Sequence, residues 1–255
     1  MTDSSFFYPV TVNDFSFRLR HFPQEVSFQM GSNNTKDAIG RETPIHPVKL
    51  SPYYIAEFPV TQALWRAVMG KDPAELYFKG DNRPVERVSW YDIMGNPTEK
   101  TVGFLTKLNQ LTEGKRPDNY HYNLPTEAQW EYAARADSSY EYSGSDKPKE
   151  VAWYHLNSHR ETKAVGQKAP NAFGLYDMSG NVWEWCRDWY GREYYQQCFD
   201  KGVVKDPTGL ENGTRRVFRG GAWDYFPQGC RVACRYDDHP SDRGNGIGFR
   251  LVLSL

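Results

Sequence analysis

The chain has 255 residues and a mass of 29.5 kDa, enough for one sizeable domain or two small ones with a substantial core. Its 31 basic and 32 acidic residues give a net charge of −1 without long runs of like charge, which argues against a nucleic-acid partner. No stretch approaches the ~20 apolar residues of a membrane span, and the N-terminal residues lack the pattern of a signal peptide. A signal removed beforehand would leave the same sequence.

The first regular elements are predicted after a segment that ends near Gln24. "VSFQMGS" at 26–32 alternates like a strand, and 46–60 reads as one or two further strands broken by a proline. A short helix is predicted at 61–70, where Thr61 is a candidate N-cap and a glycine ends the apolar pattern.

Two further helices are predicted downstream. Leucines recur at helical spacing over 101–111. The clearest helix lies at 124–136, where Thr126 and Gln129 have the spacing of a capping box. From Asp137 onward the regular signals become sparse.

The end of the chain combines two predicted strands with an irregular segment. The strands lie at 215–223 and 247–255, and the residues between them show almost no helical or strand periodicity. This segment is rich in Asp, Tyr, Phe, Gly, Cys, His, Ser and Asn. With 17 Tyr and 8 Trp in the chain, many aromatic rings are expected to keep a polar tip at the surface or in a pocket.

Cysteine is sparse, with only four residues in the chain: Cys186, Cys198, Cys230 and Cys234. No C-x-x-C pair is present, so neither a zinc ribbon nor a disulfide scaffold is indicated. The cysteines are expected to be free or singly paired.

Five ordered motifs resemble the formylglycine-generating enzyme (sulfatase-modifying factor) family: "PVTQALWRAVMG", "PVERVSWYDIM", "LPTEAQWEYAAR", "NAFGLYDMSGNVWEWCRDWY" and "RRVFRGGAW…GIGFRLV". The resemblance covers Val26 to Val252. It implies an α+β, C-type-lectin-like fold with little regular secondary structure. The expected organisation is an N-terminal segment, 1–25, followed by one such domain, 26–255. This scaffold hosts oxidases, C–S-bond-forming enzymes and binding proteins, so the fold does not fix the function.

The resemblance gives a test for the oxidase function. The oxidases bind copper(I) through two cysteines, and the matching positions here are Tyr225 and Cys230. A tyrosine and a cysteine cannot provide two soft thiolate ligands, so neither copper nor a catalytic residue is expected. The oxidase is retained as the alternative to a non-enzymatic protein.

A structural calcium ion is a second implication of the resemblance. The family's site maps onto Asp177, Glu184 and the backbone carbonyls of Gly180 and Val182, a set of oxygen ligands suited to calcium. Alternatively, the two carboxylates only order the turn through hydrogen bonds. Both interpretations stay open at this point.

The irregular segment, 223–247, resembles the variable region in target proteins of diversity-generating retroelements, which share this fold. There, error-prone copying at the adenines of AAC codons yields Asn, Asp, Tyr, His, Ser, Gly, Cys or Phe. Residues of these types occupy the predicted ligand-binding positions, which are Asp224, Tyr225, Phe226, Gly229, Cys234, Tyr236, Asp237, Asp238, His239, Ser241, Asp242, Gly244, Asn245 and Gly246. The residues between them are predicted to be scaffold, namely Trp223, Arg231, Val232, Ala233, Arg235, Pro240 and Arg243.

This composition predicts an exposed recognition surface, because antibody loops use the same mixture of tyrosine and small polar residues. The alternative is a solvated loop of ordinary turn-forming residues. We therefore expect a monomeric, receptor-like protein at the cell surface or outside the cell. Its ligand is unknown, and a protein or cell-surface molecule is the expected partner.

Overall fold

The protein is described by a computed structural model over residues 6–33, 41–73 and 75–255. The described strands are β1 (Phe7–Val12), β2 (Phe15–Phe22), β3 (Val26–Met30), β4 (His46–Leu50), β5 (Tyr53–Ala56), β6 (His121–Asn123), β7 (Trp183–Trp189), β8 (Val204–Lys205), β9 (Arg216–Arg219), β10 (Arg235–Asp238), β11 (Ile247–Phe249) and β12 (Val252–Ser254). The described helices are α1 (Gln62–Met69), α2 (Trp90–Met94), α3 (Phe104–Leu111), α4 (Glu127–Arg135), α5 (Pro148–Val151) and α6 (Tyr194–Lys201). The α+β class is confirmed.

The three predicted helices form, and two of them begin with the predicted caps. The Thr61 side chain accepts a hydrogen bond from the Leu64 backbone N–H, and Gly70 ends α1 at a left-handed φ of 79°. Thr126 and Gln129 complete a capping box at the start of α4. Short-range cap chemistry therefore fixes both helix starts.

The N-terminal residues correct the expected domain boundary. Residues 7–22 form a hairpin in a five-stranded sheet of order β1-β2-β5-β12-β6. β2 pairs antiparallel with β5, and Val12 and Leu19 are fully buried in the core. The described residues before Val26 are therefore part of the same sheet, and the chain has no architectural boundary at residues 25–26.

A second sheet of order β10-β9-β7-β11 carries the C-terminal segment. Its central strand β7 lies where regular signals were expected to be sparse. Trp183, Trp185 and Cys186 are all buried, so β7 lacks the alternation of a half-exposed strand. β11 runs parallel to β7, with Ile247 opposite Trp183. A smaller sheet joins β3, β4 and β8.

The segment predicted to be irregular contains regular structure. It holds a 3₁₀ turn over Pro227–Cys230 and the edge strand β10, which pairs with β9. Because side chains alternate across a strand, Arg235 and Asp237 point to one face, and Tyr236 and Asp238 to the other. This alternation decides which residues of β10 a ligand can reach.

The core contains aromatic rings packed against one another. Trp65 stacks on Phe104 with ring centroids 5.2 Å apart, and Phe249 meets Phe104 edge-on at 5.2 Å. All four cysteines are buried and free. No helix of the described residues has the length and apolar character needed to cross a membrane.

Candidate ligand-binding face

Most predicted ligand-binding positions reach the surface. The exposed ones are Asp224, Phe226, His239 and Ser241. The partly exposed ones are Tyr225, Gly229, Tyr236, Asp238, Asp242, Gly244 and Asn245. The structure therefore brings eleven of the fourteen predicted positions to the solvent-facing side of the segment.

Two predicted positions are wrong because they lie in the interior. The Cys234 side chain is fully buried within the core cluster, where no ligand can reach it. Gly246 is buried, and its carbonyl accepts a hydrogen bond from the Trp183 backbone N–H at 2.8 Å. An added Cβ at Gly246 would lie 3.1 Å from that of Ala222. Both positions are scaffold.

Asp237 is the third predicted position that the structure corrects. Only 9% exposed, it lies on the inner face of β10. Its carboxylate accepts a hydrogen bond from Arg41 Nη1 at 2.6 Å and another from the Arg215 guanidinium. Asp237 therefore anchors the strand.

Four rings, Trp183, Phe218, Tyr225 and Tyr236, form what we call the aromatic floor. Trp183 meets Tyr225 at 5.1 Å in an edge-to-face arrangement and Tyr236 at 5.3 Å in a tilted one. Phe218 stacks parallel to Tyr236 at 6.2 Å. Because Trp183 and Phe218 are buried, the two tyrosines are held from below, with their outer sides partly open to solvent.

Three carboxylates, Asp224, Asp238 and Asp242, form what we call the acidic rim. Burial raises the pKa of Tyr225, and the Asp224 and Asp238 carboxylates raise it further. Burial and the neighbouring Asp242 carboxyl likewise raise the pKa of Asp238. Arg215 Nη2 donates to Asp238 at 3.0 Å and opposes that shift.

Further apolar side chains near the floor are exposed or partly exposed. Phe226, 61% exposed, packs against the His155 ring at 5.1 Å, and Leu156, the residue after His155, is 68% exposed. Phe78 meets Trp223 edge-on at 5.3 Å, and both are partly exposed. His155 and Leu156 escaped the sequence analysis because they are distant in sequence; the backbone bond from His155 N–H to the Tyr225 carbonyl, 2.9 Å, brings them here.

Arginines predicted to be scaffold hold the segment in place. Arg231 binds Glu42 through two bonds of 2.8 and 2.6 Å, and Arg235 binds Glu127 through two of 2.7 and 2.5 Å. Both pairs are buried. Trp223, also predicted to be scaffold, is partly exposed and instead belongs to the flank of the face.

The two cysteines of the segment are buried thiols with raised pKa values. Cys230 is fully buried, and burial raises the pKa of its thiol far above the ordinary range. Burial raises the pKa of Cys234 to about 12. A reactive cysteine needs a depressed pKa and access to solvent, and these two have neither.

Glu184 does not fit the calcium ion that the sequence analysis considered. One of its carboxylate oxygens accepts from Trp130 Nε1 at 2.6 Å, and both accept from the Arg250 guanidinium at 2.9–3.2 Å. Glu184 and Arg250 are both fully buried. Its charge is therefore already balanced by a guanidinium, which a calcium ion would have to displace.

Asp177, the other carboxylate of that expected set, is held by hydrogen bonds within its turn. Asp177 accepts from the Gly166 N–H at 2.8 Å and from Asn181 Nδ2 at 3.3 Å, and burial raises its pKa to about 6. Gly180 donates to a backbone carbonyl at 2.7 Å, and the Val182 side chain is buried. The described residues contain no cluster of three or more metal-ligating His, Cys, Asp or Glu side chains.

This architecture defines the chain as a C-type-lectin-like protein of the formylglycine-generating-enzyme type with a surface face at its C-terminal segment. Residues 14–255 match the sulfatase-modifying factor enzyme 1-like domain. The chain belongs to that family.

Two similar solved structures match almost the whole of this chain. Among solved structures, variable protein 1 of Treponema denticola is 30% identical with a TM-score of 0.83, and the match covers 98% of this chain and 99% of that one. PvdO of Pseudomonas aeruginosa is 26% identical with a TM-score of 0.76, over 97% of this chain and 98% of that one.

Two curated relatives are similar to this chain over most of its length. The chaperone protein LppX of Paenibacillus barcinonensis is 35% identical over 249 residues, covering 81% of this chain and 82% of that protein. The formylglycine-generating enzyme of Streptomyces coelicolor is 30% identical over 267 residues, covering 83% and 81%.

Proposed function

We propose that this chain is a non-enzymatic, receptor-like ligand-binding protein that recognises its partner with the aromatic floor and acidic rim. The observation that carries the proposal is the position of the diversifiable residue types. They lie mainly on the accessible side of a segment whose other side is anchored by buried ion pairs. The likeness to Treponema denticola variable protein 1 over nearly the whole length supports it.

The expected partner is a protein or a cell-surface molecule. The face consists of exposed and partly exposed side chains, which suits a macromolecular surface better than a small metabolite. A relative named as a chaperone is consistent with a polypeptide partner. The proposed location is the cell surface or the exterior.

Site-specific photocrosslinking tests this proposal. A photoreactive phenylalanine at Phe226 should capture a defined partner from the native host's surface, whereas the same group at Phe199 should not. Phe199 is a matched control because it is 52% exposed and lies on α6. Capture at Phe226 should be lost when Asp224 and His239 are replaced by serine. Identical products from both positions would contradict a recognition role for this face.

We further propose that the segment is diversified by a retroelement. The genome should then hold a near-copy of the gene's 3′ end in which the varied positions are asparagine codons, next to a reverse transcriptase gene. If the gene neighbourhood lacks both features, the proposal of diversification is wrong. The proposal of ligand binding would then still be tested by the crosslinking experiment.

The alternative is a formylglycine-generating-type oxidase of protein cysteine. It is favoured by the 30% identity to the Streptomyces coelicolor enzyme. Against it, one of the two matching positions is Tyr225, and the other, Cys230, is buried with a strongly raised pKa. Tight copper(I) binding together with oxidation of a cysteine peptide would establish the oxidase.

A further inference from the structure

We infer that the face selects a cationic polypeptide, with an arginine or lysine side chain lying over Tyr225 and between the carboxylates of the acidic rim. This inference rests on the proposed function, because it names the partner of the same face. Three observations support it: the carboxylates of the face outnumber the arginines that pair with them, the aromatic floor lies beside them, and Arg41 already lies over Tyr236 in the same way.

The face holds an excess of carboxylates over guanidinium groups. The acidic rim supplies three carboxylates, and the described arginine that pairs with one of them is Arg215, through Asp238. Asp237, on the inner face of β10, pairs with both Arg41 and Arg215. Neither Asp224 nor Asp242 forms an ion pair within the described ranges, although the His155 ring acts electrostatically on Asp224 and the Arg215 guanidinium on Asp242.

The Asp242 carboxyl disfavours the charge of its neighbour Asp238. Burial raises the pKa of Asp238, and Asp242 raises it further. A cation placed beside both would remove this repulsion and gain charge-assisted hydrogen bonds. The rim is therefore better suited to a positive group than to a neutral or negative one.

The protein already contains the arrangement that we infer for the partner. The Arg41 guanidinium lies 5.3 Å from the centroid of Tyr236 and binds the Asp237 carboxylate. Tyr225 presents the same combination of ring and carboxylate, because it follows Asp224 in the chain and its ring centroid lies 6.1 Å from that of Tyr236, which shares the outer face of β10 with Asp238. No described cation lies over its ring, and cations are attracted to the face of such rings.

Trp183 provides a spectroscopic reporter for this position. Its Nε1 is buried and meets no described acceptor within hydrogen-bonding geometry, although it lies close enough to lower the pKa of the Tyr225 phenol. Its ring contacts both tyrosines. A guanidinium that settles over Tyr225 should therefore shift the indole N–H resonance of Trp183.

The experiment titrates two peptides into the ¹⁵N-labelled chain. The peptide acetyl-(Gly-Arg)₃-amide should move the Trp183 indole signal in a saturable way. The peptide with citrulline in place of arginine has nearly the same shape without the charge, and it should bind at least about tenfold more weakly. Equal affinities of the two peptides would overturn the inference.

Matched variants separate the face from the overall charge of the protein. Asp224→Asn with Asp242→Asn should weaken the arginine peptide at least about tenfold, whereas Glu113→Gln with Asp118→Asn should change its affinity less than about twofold. The control pair makes the same change in net charge at exposed residues that lie between α3 and β6. Equal losses in both pairs would also overturn the inference.

These outcomes are distinguishable from failure of the proposed function. If photocrosslinking at Phe226 captures a partner with a neutral or acidic surface, the proposed function stands and the cationic inference falls. If no partner depends on the face, the proposed function itself falls.

Discussion

Neighbouring residues with the same side chain have different roles in this segment. Asp237 lies on the inner face of β10 and binds two arginines, whereas Asp238 lies on the outer face within the acidic rim. Because side chains alternate along β10, Asp237 anchors the strand and the adjacent Asp238 is available for recognition.

Substitution of the two aspartates should therefore give different results. Asp237→Asn should lower the free energy of unfolding by about 1–3 kcal/mol, because it removes the negative charge between Arg41 and Arg215. Asp238→Asn should change it by no more than about 0.5 kcal/mol. Chemical denaturation measures both values. Equal losses would show that β10 is not oriented as described.

Cys230 should be a packing residue without a catalytic role. Cys230→Ser should destabilise the fold by about 1–3 kcal/mol, because a hydroxyl group replaces a fully buried thiol. Assays of a cysteine-containing peptide with copper(I), before and after the substitution, check the catalytic part. Copper-dependent oxidation that disappears in Cys230→Ser would make this expectation wrong, and Cys198→Ser serves as a control for a second buried cysteine.

The ion pair between Glu184 on β7 and Arg250 should stabilise the fold without a metal ion. Thermal melting should be the same with and without a chelator, since an ion bound only to the folded state would raise the melting temperature. Glu184→Gln should cost about 3–5 kcal/mol because Arg250 would be left buried without its partner. A melting temperature that falls on chelation would restore the calcium interpretation.

At the scale of elements, buried ion pairs connect α4 to the strands beneath the face. Arg219 on β9 binds Glu127 at 2.7 Å and Glu131 at 2.6 Å, and Arg235 on β10 shares Glu127. These groups have little solvent exposure, so each charge depends on its partners. The network fixes β10 from the side opposite the ligand.

Glu131 should make this network sensitive to acid. Burial alone would raise the pKa of Glu131, but the charges of Arg135 and Arg219 hold it at about 2, below its ordinary value of 4.5. A lowered folded-state pKa gives stability that is fully present above pH 4.5 and is lost as the pH falls toward 2.

Glu131→Gln should therefore lower the free energy of unfolding by about 3–5 kcal/mol at neutral pH and remove part of its dependence on pH below 4.5. Unfolding measured from pH 7 to pH 3 tests this expectation. The exposed Glu113→Gln is the control and should leave the profile unchanged. An unchanged profile in Glu131→Gln would mean that the network contributes no net stability.

Elements with local signals could be predicted from the sequence. The caps at Thr61 and Thr126 lie within three residues of their partners, so the sequence alone is enough to place α1 and α4. β7 escaped prediction because it is buried on both sides and so lacks alternation. β10 escaped because its four residues are three charged side chains and a tyrosine, without an apolar face.

The candidate face was predictable in outline and not in detail. The types of residue pointed to the segment, yet Cys234 and Asp237 are of those types and lie inside. Their burial depends on distant partners such as Arg41, which no local pattern reveals. The contribution of His155 and Leu156 depends equally on tertiary contacts.

At the scale of the whole molecule, the fold separates stability from recognition. The aromatic core and the buried arginine pairs lie on one side of the segment, and the exposed recognition positions lie on the other. Close packing makes interior positions intolerant of change, whereas exposed positions tolerate most substitutions. A scaffold built in this way can present many sequences at one surface.

The most direct test compares two phage-displayed libraries of equal size. One varies the exposed or partly exposed positions Asp224, Phe226, Asp238, His239, Ser241 and Asp242; the other varies the buried positions Cys230, Arg231, Val232, Cys234, Arg235 and Asp237. The first measurement is the fraction of clones in each library that resist a protease. The resistant clones are then selected for binding to lysozyme. We expect most exposed-position clones to remain resistant and to yield binders, and most buried-position clones to be cleaved. Equal loss of resistance in the two libraries would contradict the separation of stability from recognition.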